Sequence, residues 1–341
     1  MDWWKSIKIS AIIVGTVIGA GFASGREIWE FFGSYGDESY RGIILFMVLC
    51  FLCCGNILTI SWKYQTCDYS EWFAHLFSKR LRKALDGLVL LYLLTTTIVM
   101  FAGSGATFVQ WNRSFIEGII FLAVAVLLVL CFDLKGLMTL NLLIIPLLTT
   151  GILIVCVSFL LFYKPVVSFE SASVNSLPIW PSAITYTAFN AVSLVAVLST
   201  MGKQIDNRLQ IWLSSGISVA SLSVIVFVYN GSLLKVKHLM TQYDIPLFAL
   251  VKDYSPLLIF LISGLLWFAI YTTVAGNLHG LVYRLSARFA FPRWLWGSII
   301  LIILIPFSQL GFSNLVQLLY PLYGILNLFL LAVILLFPVM K

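Results

Sequence analysis

A glycine-rich stretch, VGTVIGAGFASG at positions 14–25, lies in the middle of the first apolar run of the chain. Glycine costs roughly 1 kcal/mol in a helix interior relative to alanine, so four glycines in twelve residues predict a helix that breaks here. Irregular backbone is tolerated inside a bilayer only where it is buried in protein or lines a cavity. The freed amides and carbonyls would form a site for a small ion or solute, as in transporters with discontinuous helices.

The composition places the chain in a membrane. Hydrophobic residues make up 61% of it and charged residues only 10%, whereas a soluble domain carries about 25% charged residues. The net charge of +7 resides in short segments between apolar runs. The preference of basic residues for cytoplasmic loops accounts for that pattern. We therefore expect a multi-pass protein of the cell membrane, with the lipid bilayer and not nucleic acid as its surroundings.

Ten runs are long enough to span a bilayer, at about 20 residues each. They lie at 6–33, 40–63, 84–110, 114–132, 137–163, 181–201, 207–230, 255–284, 294–309 and 312–338. The predicted fold class is thus an all-α integral membrane protein with ten transmembrane helices. Segments 68–83 and 239–253 are predicted to be amphipathic helices at the two membrane surfaces.

The basic residues predict the orientation. Fourteen lysines and arginines fall in the loops on the side of the termini and six in the opposite loops, with Arg26 inside a span. Because the cytoplasmic side carries the excess of basic residues, both termini are predicted to be cytoplasmic.

The chain shows signs of an internal repeat. A weakly hydrophobic loop at 164–180 separates five spans (1–163) from five more (181–341), and Pro146 and Pro321 lie in similar strings 175 residues apart. The same offset carries Gly15 to Asn190, in a sixth span rich in polar residues. An odd number of spans makes the two halves inverted relative to each other. This pattern predicts a 5+5 inverted repeat with broken helices 1 and 6 and a solute site between them.

The eighth span holds a candidate cation site. Ala269, Thr272 and Thr273 stand at i, i+3 and i+4 and share one helical face. Their hydroxyl and carbonyl oxygens, opposite the freed carbonyls of a broken helix, would suit Na⁺. Alternatively, both threonines bond back to carbonyls of their own helix.

Arg26, Glu27 and Glu30 form a charged cluster within the first span. Ionisable residues inside a membrane are functional by default, so Arg26 and Glu27 are candidate gate residues. The alternative is a solvated position at the outer mouth of the cavity.

The string VGTVIGAGFASGREI, the ten spans and the length resemble the bacterial YkvI-type membrane proteins, members of the amino acid–polyamine–organocation superfamily with the LeuT fold. The resemblance implies that Na⁺ is held by the carbonyls of Gly15 and Ile18 together with Ala269, Thr272 and Thr273. It also implies a substrate site between the first and sixth helices, lined partly by the third and eighth. The candidate substrate residues are Gly19, Gly21, Phe22, Ser24, Gly25, Thr187, Phe189 and Asn190.

Two features bear on the gate and the coupling ion. Related amino acid carriers pair an arginine of the first helix with an aspartate of the tenth, but the tenth span here contains no acid. Some superfamily members replace Na⁺ with a lysine amine in the fifth helix. Here Lys135 and Lys164 only flank the fifth span, which favours Na⁺ over H⁺ coupling.

The sequence therefore predicts a secondary active transporter that couples Na⁺ to a small amine-bearing solute such as an amino acid. No cofactor other than the coupling ion is expected, and no nucleophile–base pair or metal cluster points to an enzyme. The alternatives are an H⁺-coupled or uncoupled carrier of an organic cation and a membrane receptor that binds a solute without moving it.

Overall fold

The computed structural model describes residues 3–130, 135–162, 177–286 and 292–337, and every regular element within them is helical. The α-helices are α1 (Trp3–Val17), α2 (Ala20–Ala23), α3 (Arg26–Phe31), α4 (Ser39–Tyr64), α5 (Tyr69–Leu76), α6 (Lys79–Gln110), α7 (Phe115–Leu130), α8 (Lys135–Phe162), α9 (Trp180–Leu198), α10 (Arg208–Lys235), α11 (Pro246–Val251), α12 (Pro256–Ser286), α13 (Arg293–Ser308), α14 (Phe312–Leu326) and α15 (Leu328–Leu336). Short 3₁₀ helices occupy Gly33–Glu38, Ser199–Gln204 and Lys237–Leu239.

The predicted class, an all-helical multi-pass membrane protein, is confirmed. Within the described ranges, six helices are long and apolar enough to cross a membrane, and a seventh span results if α13 and α14, bent by 106°, count as one. The six lie in α4, α6, α8, α9, α10 and α12. The other predicted spans correspond to shorter or broken helices, so ten spans in a 5+5 repeat stay a prediction. Residues 164–176 of the predicted connecting loop lie outside the described residues.

The first span is broken, as its glycines predict. Helix α1 ends at Val17, and Gly19 adopts an extended conformation with φ −92° and ψ −176° before the single turn of α2. The Gly19 N–H donates to the Val17 carbonyl at 3.0 Å instead of to the Gly15 carbonyl. Any residue can adopt such a φ, and a Cβ at Gly19 would meet no atom within 4 Å. The absence of a side chain at Gly19 therefore leaves space open and is not required by the backbone angle.

A second bend separates α2 from α3 at Gly25. This glycine has φ +80°, in the left-handed region, and a Cβ there would meet the hydroxyl of Tyr229. The left-handed conformation is costly for most L-residues and is readily adopted by glycine. Gly25 thus satisfies both the turn and the close approach of α10.

The sixth span differs from its prediction. Helix α9 runs unbroken from Trp180 through Asn190 to Leu198 and continues as the 3₁₀ helix Ser199–Gln204. The prediction of a broken helix 6 at its polar centre was therefore wrong. The polar side chains are accommodated within the helix, since the Thr187 hydroxyl donates to the Ala183 carbonyl and the Asn190 amide to the Tyr186 carbonyl.

The two predicted surface helices are shorter than expected. Segment 68–83 holds α5, which begins after the capping residue Asp68 and ends before Phe77, while Lys79 already starts α6. Segment 239–253 contains the last residue of the 3₁₀ helix Lys237–Leu239 and the six-residue α11. Its Leu247 N–H donates to the Ser24 carbonyl at 3.0 Å, so α11 lies over the joint between α2 and α3.

The packing of the helices determines which elements surround the break in the first span. Helix α1 packs against α10 and α9, whereas the single turn of α2 contacts α12 and α8. Helix α9 packs against α4 and α14, and α12 packs along α6. The irregular backbone at Ile18 and Gly19 is thus enclosed by other helices and not by lipid, as the physics of the bilayer requires.

The ends of the helices allow a test of the orientation. The Lys5 ammonium contacts the Asp206 carboxylate at 2.8 Å, so the start of α1 and the segment before α10 lie at the same end of the bundle. We predict that membrane-impermeant maleimide labels Gln204→Cys only from the cytoplasmic side and His238→Cys, at the far end of α10, only from outside. These variants would be made on a cysteine-free background. Labelling of both from one side would contradict the predicted topology.

Candidate functional site

A cavity of about 80 Å³ lies at the break of the first span. Helices α1, α2, α3, α6, α9, α12 and α14 contribute to its wall. Four of the predicted substrate residues line it: Gly19, Gly21, Phe189 and Asn190. The first span and the predicted sixth span, which is helix α9, therefore meet around one cavity, although only the first span is broken.

The other four predicted substrate residues do not line this cavity. The Ser24 hydroxyl donates to the Gly21 carbonyl at 2.6 Å, and Gly25 packs beneath Tyr229 and Pro246. The Phe22 ring contacts that of Tyr229 edge-on, with centroids 6.4 Å apart. Thr187 bonds to its own helix. The second bend, at Gly25, turns this part of the chain toward α10 and α11.

Glu27 places a carboxylate in the wall of the cavity. Its side chain is buried, and Oε2 accepts a hydrogen bond from the Tyr186 hydroxyl at 3.0 Å. Oε1 lies against Gly21, where a Cβ would collide with it. The bare backbone of Gly21 therefore makes room for this carboxylate.

Arg26 does not pair with Glu27. Its Nη2 contacts Glu30 Oε1 at 2.5 Å, one helical turn along, and its side chain is buried. Neither Arg26 nor Glu30 lines the cavity. The candidate gate residues thus have separate environments: Arg26 lies in a buried ion pair and Glu27 in the cavity wall.

Aromatic rings form one side of the cavity. Phe189 stacks on Tyr320 with centroids 4.5 Å apart and an interplanar angle of 24°. Tyr92 of α6 packs against Phe189 at 5.8 Å. These three rings come from three helices, and together with Glu27 they give the cavity a carboxyl group beside aromatic rings.

A second, much smaller cavity of about 10 Å³ lies beside the first. It is lined by Ile18, Gly19 and Ala20 at the break, by Ala269 and Thr273 of α12, and by Ile145 and Leu148 of α8. A single water needs roughly 10–15 Å³ in this measure, so the space suits one particle of that size. Of the predicted ion ligands, Ile18, Ala269 and Thr273 line it, while Gly15 and Thr272 are not among its lining residues.

Two backbone oxygens near the break lack helical partners: that of Ile18, which lines this small cavity, and that of Gly15, three residues earlier and outside the lining. No backbone N–H among the described residues donates to the carbonyl oxygens of Gly15 or Ile18. On the opposite side, the hydroxyls of Thr272 and Thr273 both donate to the Ala269 carbonyl, at 3.1 and 2.8 Å. The back-bonded arrangement considered for these threonines is therefore present. It uses the hydroxyl hydrogens and leaves oxygen lone pairs available as ligands.

The two cavities share part of their walls. Gly19, Ala20 and Thr273 line both. A ligand in one cavity therefore touches residues that also contact a ligand in the other.

A wide cleft of about 720 Å³ opens next to the central cavity. Its inner residues Leu93, Ala196 and Gly280 each stand three positions from a cavity residue on the same helix, about one helical turn away. The cleft lies toward the start of α6 and the end of α12, where Arg284 and Asp86 approach to 3.9 Å. On the other side of the cavity, the Tyr229 hydroxyl donates to the Ala23 carbonyl at 3.0 Å, and α11 covers the bend.

Comparison with known proteins identifies the family. No protein-family model matches the chain. The uncharacterized protein YyaD of Bacillus subtilis is 36% identical over 341 residues, which cover all of this chain and 99% of YyaD. The uncharacterized membrane protein YkvI of the same organism is 28% identical over 333 residues, covering 94% of this chain and 92% of YkvI. The chain belongs to the YyaD and YkvI family. The predicted resemblance is thereby confirmed.

Solved structures show which fold the YyaD and YkvI family adopts. MhsT in complex with L-phenylalanine has a TM-score of 0.63 at 16% identity, covering 95% of this chain and 87% of that chain. A manganese transporter of Eremococcus coleocola has 0.62 at 15%, covering 98% and 80%. A Na⁺-coupled sialic acid symporter has 0.58 at 12%, covering 97% and 77%. These neighbours are LeuT-fold membrane transporters and not enzymes, and at such low identity the likeness establishes the fold.

Sequence reasoning missed several residues of the central cavity. They are Thr16, Val17, Ala20, Tyr92, Thr96, Met100, Ser193, Asn277 and Tyr320. Asn277 could most readily have been predicted, because it stands one helical turn beyond Thr273 on α12. In the structure its amide donates to the Thr96 hydroxyl at 3.0 Å. Tyr92 and Tyr320 carry no such signal in a chain that contains 14 tyrosines.

Proposed function

We propose that this protein is a secondary active transporter that couples Na⁺ to the movement of a small amine-bearing solute, such as an amino acid, by alternating access. The observation that carries the proposal is the pair of adjoining cavities at the break of the first span, which share Gly19, Ala20 and Thr273. The proposal includes ten spans in two inverted repeats of five, with both termini in the cytoplasm.

Na⁺ fits the smaller cavity. Ile18 in its wall has a carbonyl without a helical donor, as has Gly15 three residues earlier, and Thr273 supplies a hydroxyl oxygen from α12. The lining of this cavity contains no carboxylate, whereas oxygen sites for divalent cations such as Mn²⁺ usually include one, so its neutral oxygens suit a monovalent cation better. Among the residues that the structure describes, no three His, Cys, Asp or Glu side chains group together as metal ligands. We therefore do not propose manganese as cargo.

Helix α8 adds support for Na⁺ coupling. It contributes Ile145 and Leu148 to the small cavity, so its contribution there is apolar and contains no amine in place of an ion. An H⁺-coupled carrier is the second candidate, because Glu27 places a titratable carboxyl in the larger cavity. In that case protonation of Glu27, and not Na⁺, would drive the cycle.

The surroundings of the cavities support alternating access. The wide cleft leads from the predicted cytoplasmic ends of α6 and α12 toward the solute cavity. The bonds from Tyr229 to Ala23 and from Leu247 to Ser24 close the opposite side. We infer that this arrangement is an inward-facing state, and that the short α2–α3 segment moves relative to α10 and α11 when the outer side opens.

The ion site can be tested with Na⁺ alone. A ligand that binds only the folded protein stabilises it by RT ln(1 + [L]/Kd), so replacing KCl with NaCl at equal ionic strength should raise the melting temperature of the purified protein. Thr273→Val removes the hydroxyl oxygen and should abolish this difference. Thr150→Val is the matched control, because Thr150 also bonds back to its helix, at 2.8 Å from the Pro146 carbonyl, but is exposed on α8. An undiminished Na⁺ effect in Thr273→Val would refute the site.

Uptake into proteoliposomes tests transport itself. The solute would be taken from a thermal-shift screen of amino acids and amines on the purified protein. An inward Na⁺ gradient should drive its accumulation, whereas an equal K⁺ gradient should not. A receptor would bind the solute and accumulate none under either gradient, and a carrier driven by H⁺ would respond only to a pH gradient.

A further inference from the structure

We propose that Glu27 is the counter-ion for the protonated amine of the solute, and that the cavity recognises this amine without requiring a carboxylate on the same molecule. The inference rests on the proposed function for the location of the solute, and it narrows the solute class. It assigns a binding role to one of the two candidate gate residues.

The first argument is the position of the carboxylate. Glu27 lies on α3 beyond the second bend, yet its side chain returns to the cavity and packs against the bare backbone of Gly21. A side chain at Gly21 would collide with Oε1, and the Tyr186 hydroxyl holds Oε2. Gly21 and Tyr186 thus fix the carboxylate from two sides and direct it at the solute space.

The second argument is the missing partner. A carboxyl group buried in a membrane protein is costly to keep charged without a cation, and it binds a proton in the absence of one. Among the described residues, no lysine, arginine or histidine forms an ion pair with Glu27, and none lines the cavity. The neighbouring Arg26 directs its Nη2 to Glu30, at 2.5 Å, and not to Glu27. A cationic solute that enters the cavity would supply the ion-pair partner that Glu27 lacks among the described residues.

The third argument is the rest of the wall. The rings of Phe189, Tyr92 and Tyr320 line the wall, and a ring face that is not covered by another ring attracts cations through its quadrupole. The side-chain amide groups of Asn190 and Asn277 donate to the Tyr186 carbonyl and the Thr96 hydroxyl. These bonds use one N–H of each amide, and the amide oxygens accept no hydrogen bond from the described residues, so both oxygens can accept from a ligand. Acceptor oxygens and aromatic faces suit an ammonium group with its N–H donors.

The same wall offers little to a carboxylate. Backbone amides at the N-terminal end of a helix can bind an anion, but α2 is one turn of four residues, and its alignment ends at the second bend. The positive end of a helix dipole arises from many aligned peptide units, and one turn provides few. A carboxylate placed here would also lie near the Glu27 carboxylate, which would repel it.

The test uses isothermal titration calorimetry on the full chain in detergent with saturating Na⁺. Three probes are compared. The first, n-propylamine, carries only an amine, propionate carries only a carboxylate, and L-alanine carries both groups. We expect n-propylamine to bind, propionate not to bind, and Glu27→Gln to weaken n-propylamine by about tenfold or more, since the charge-assisted interaction is lost. Glu38→Gln, which removes an exposed carboxylate paired with Arg41, should leave binding unchanged.

A second variant keeps the test independent of any folding defect in Glu27→Gln. Glu27→Asp retains the charge but retracts it by one methylene, and it should bind n-propylamine more weakly than the wild type and more tightly than Glu27→Gln. Amine binding that is equal in all three proteins would overturn the inference, as would propionate binding or a wild type that binds only L-alanine. None of these results bears on the rise in melting temperature that Na⁺ causes. They would therefore not by themselves refute Na⁺-coupled transport.

Discussion

Every peptide group within a bilayer needs a hydrogen-bond partner, because hydrocarbon supplies none. At Ile18 and Gly19 this chain leaves the helix, and the carbonyls of Gly15 and Ile18 lose their helical donors. The surrounding helices are packed around these two carbonyls, which lack helical donors. Helices α12 and α8 enclose the break, and the two cavities lie beside it. In the proposed transporter, a break that would be a defect in a structural helix supplies the ligand oxygens of the ion site.

The glycines of the first span act through different physical effects. Gly19 has a backbone conformation open to any residue, and its missing side chain keeps both cavities empty of protein. Gly21 makes room for the Glu27 carboxylate. Gly25 alone requires a left-handed φ, and it also admits the Tyr229 hydroxyl. A larger residue at each of these three positions should therefore disturb the structure for a different physical reason.

The sequence predicted the features that follow from local chemistry. Glycine clustering located the break at Gly19, and the i, i+3, i+4 pattern brought Ala269 and Thr273 to one cavity with Ile18. Polarity in the sixth span was misread as a second break, because serine, threonine and asparagine side chains can bond to their own helix and leave it continuous. Tyr92 and Tyr320 were missed because their role depends on the packing of α6 and α14 against α9, and nothing local distinguishes them from lipid-facing tyrosines.

The account depends on energetic coupling between the two cavities through Gly19, Ala20 and Thr273. Such coupling is reciprocal, and its usual size changes each affinity by roughly 5–150-fold. The most direct test is to titrate n-propylamine into the purified protein in NaCl and in KCl, and then to titrate Na⁺ with and without the amine. The account predicts tighter amine binding in NaCl and an equal factor for Na⁺ when the amine is present. Identical affinities in both salts would show that the two cavities are independent and would contradict Na⁺-coupled transport through this site.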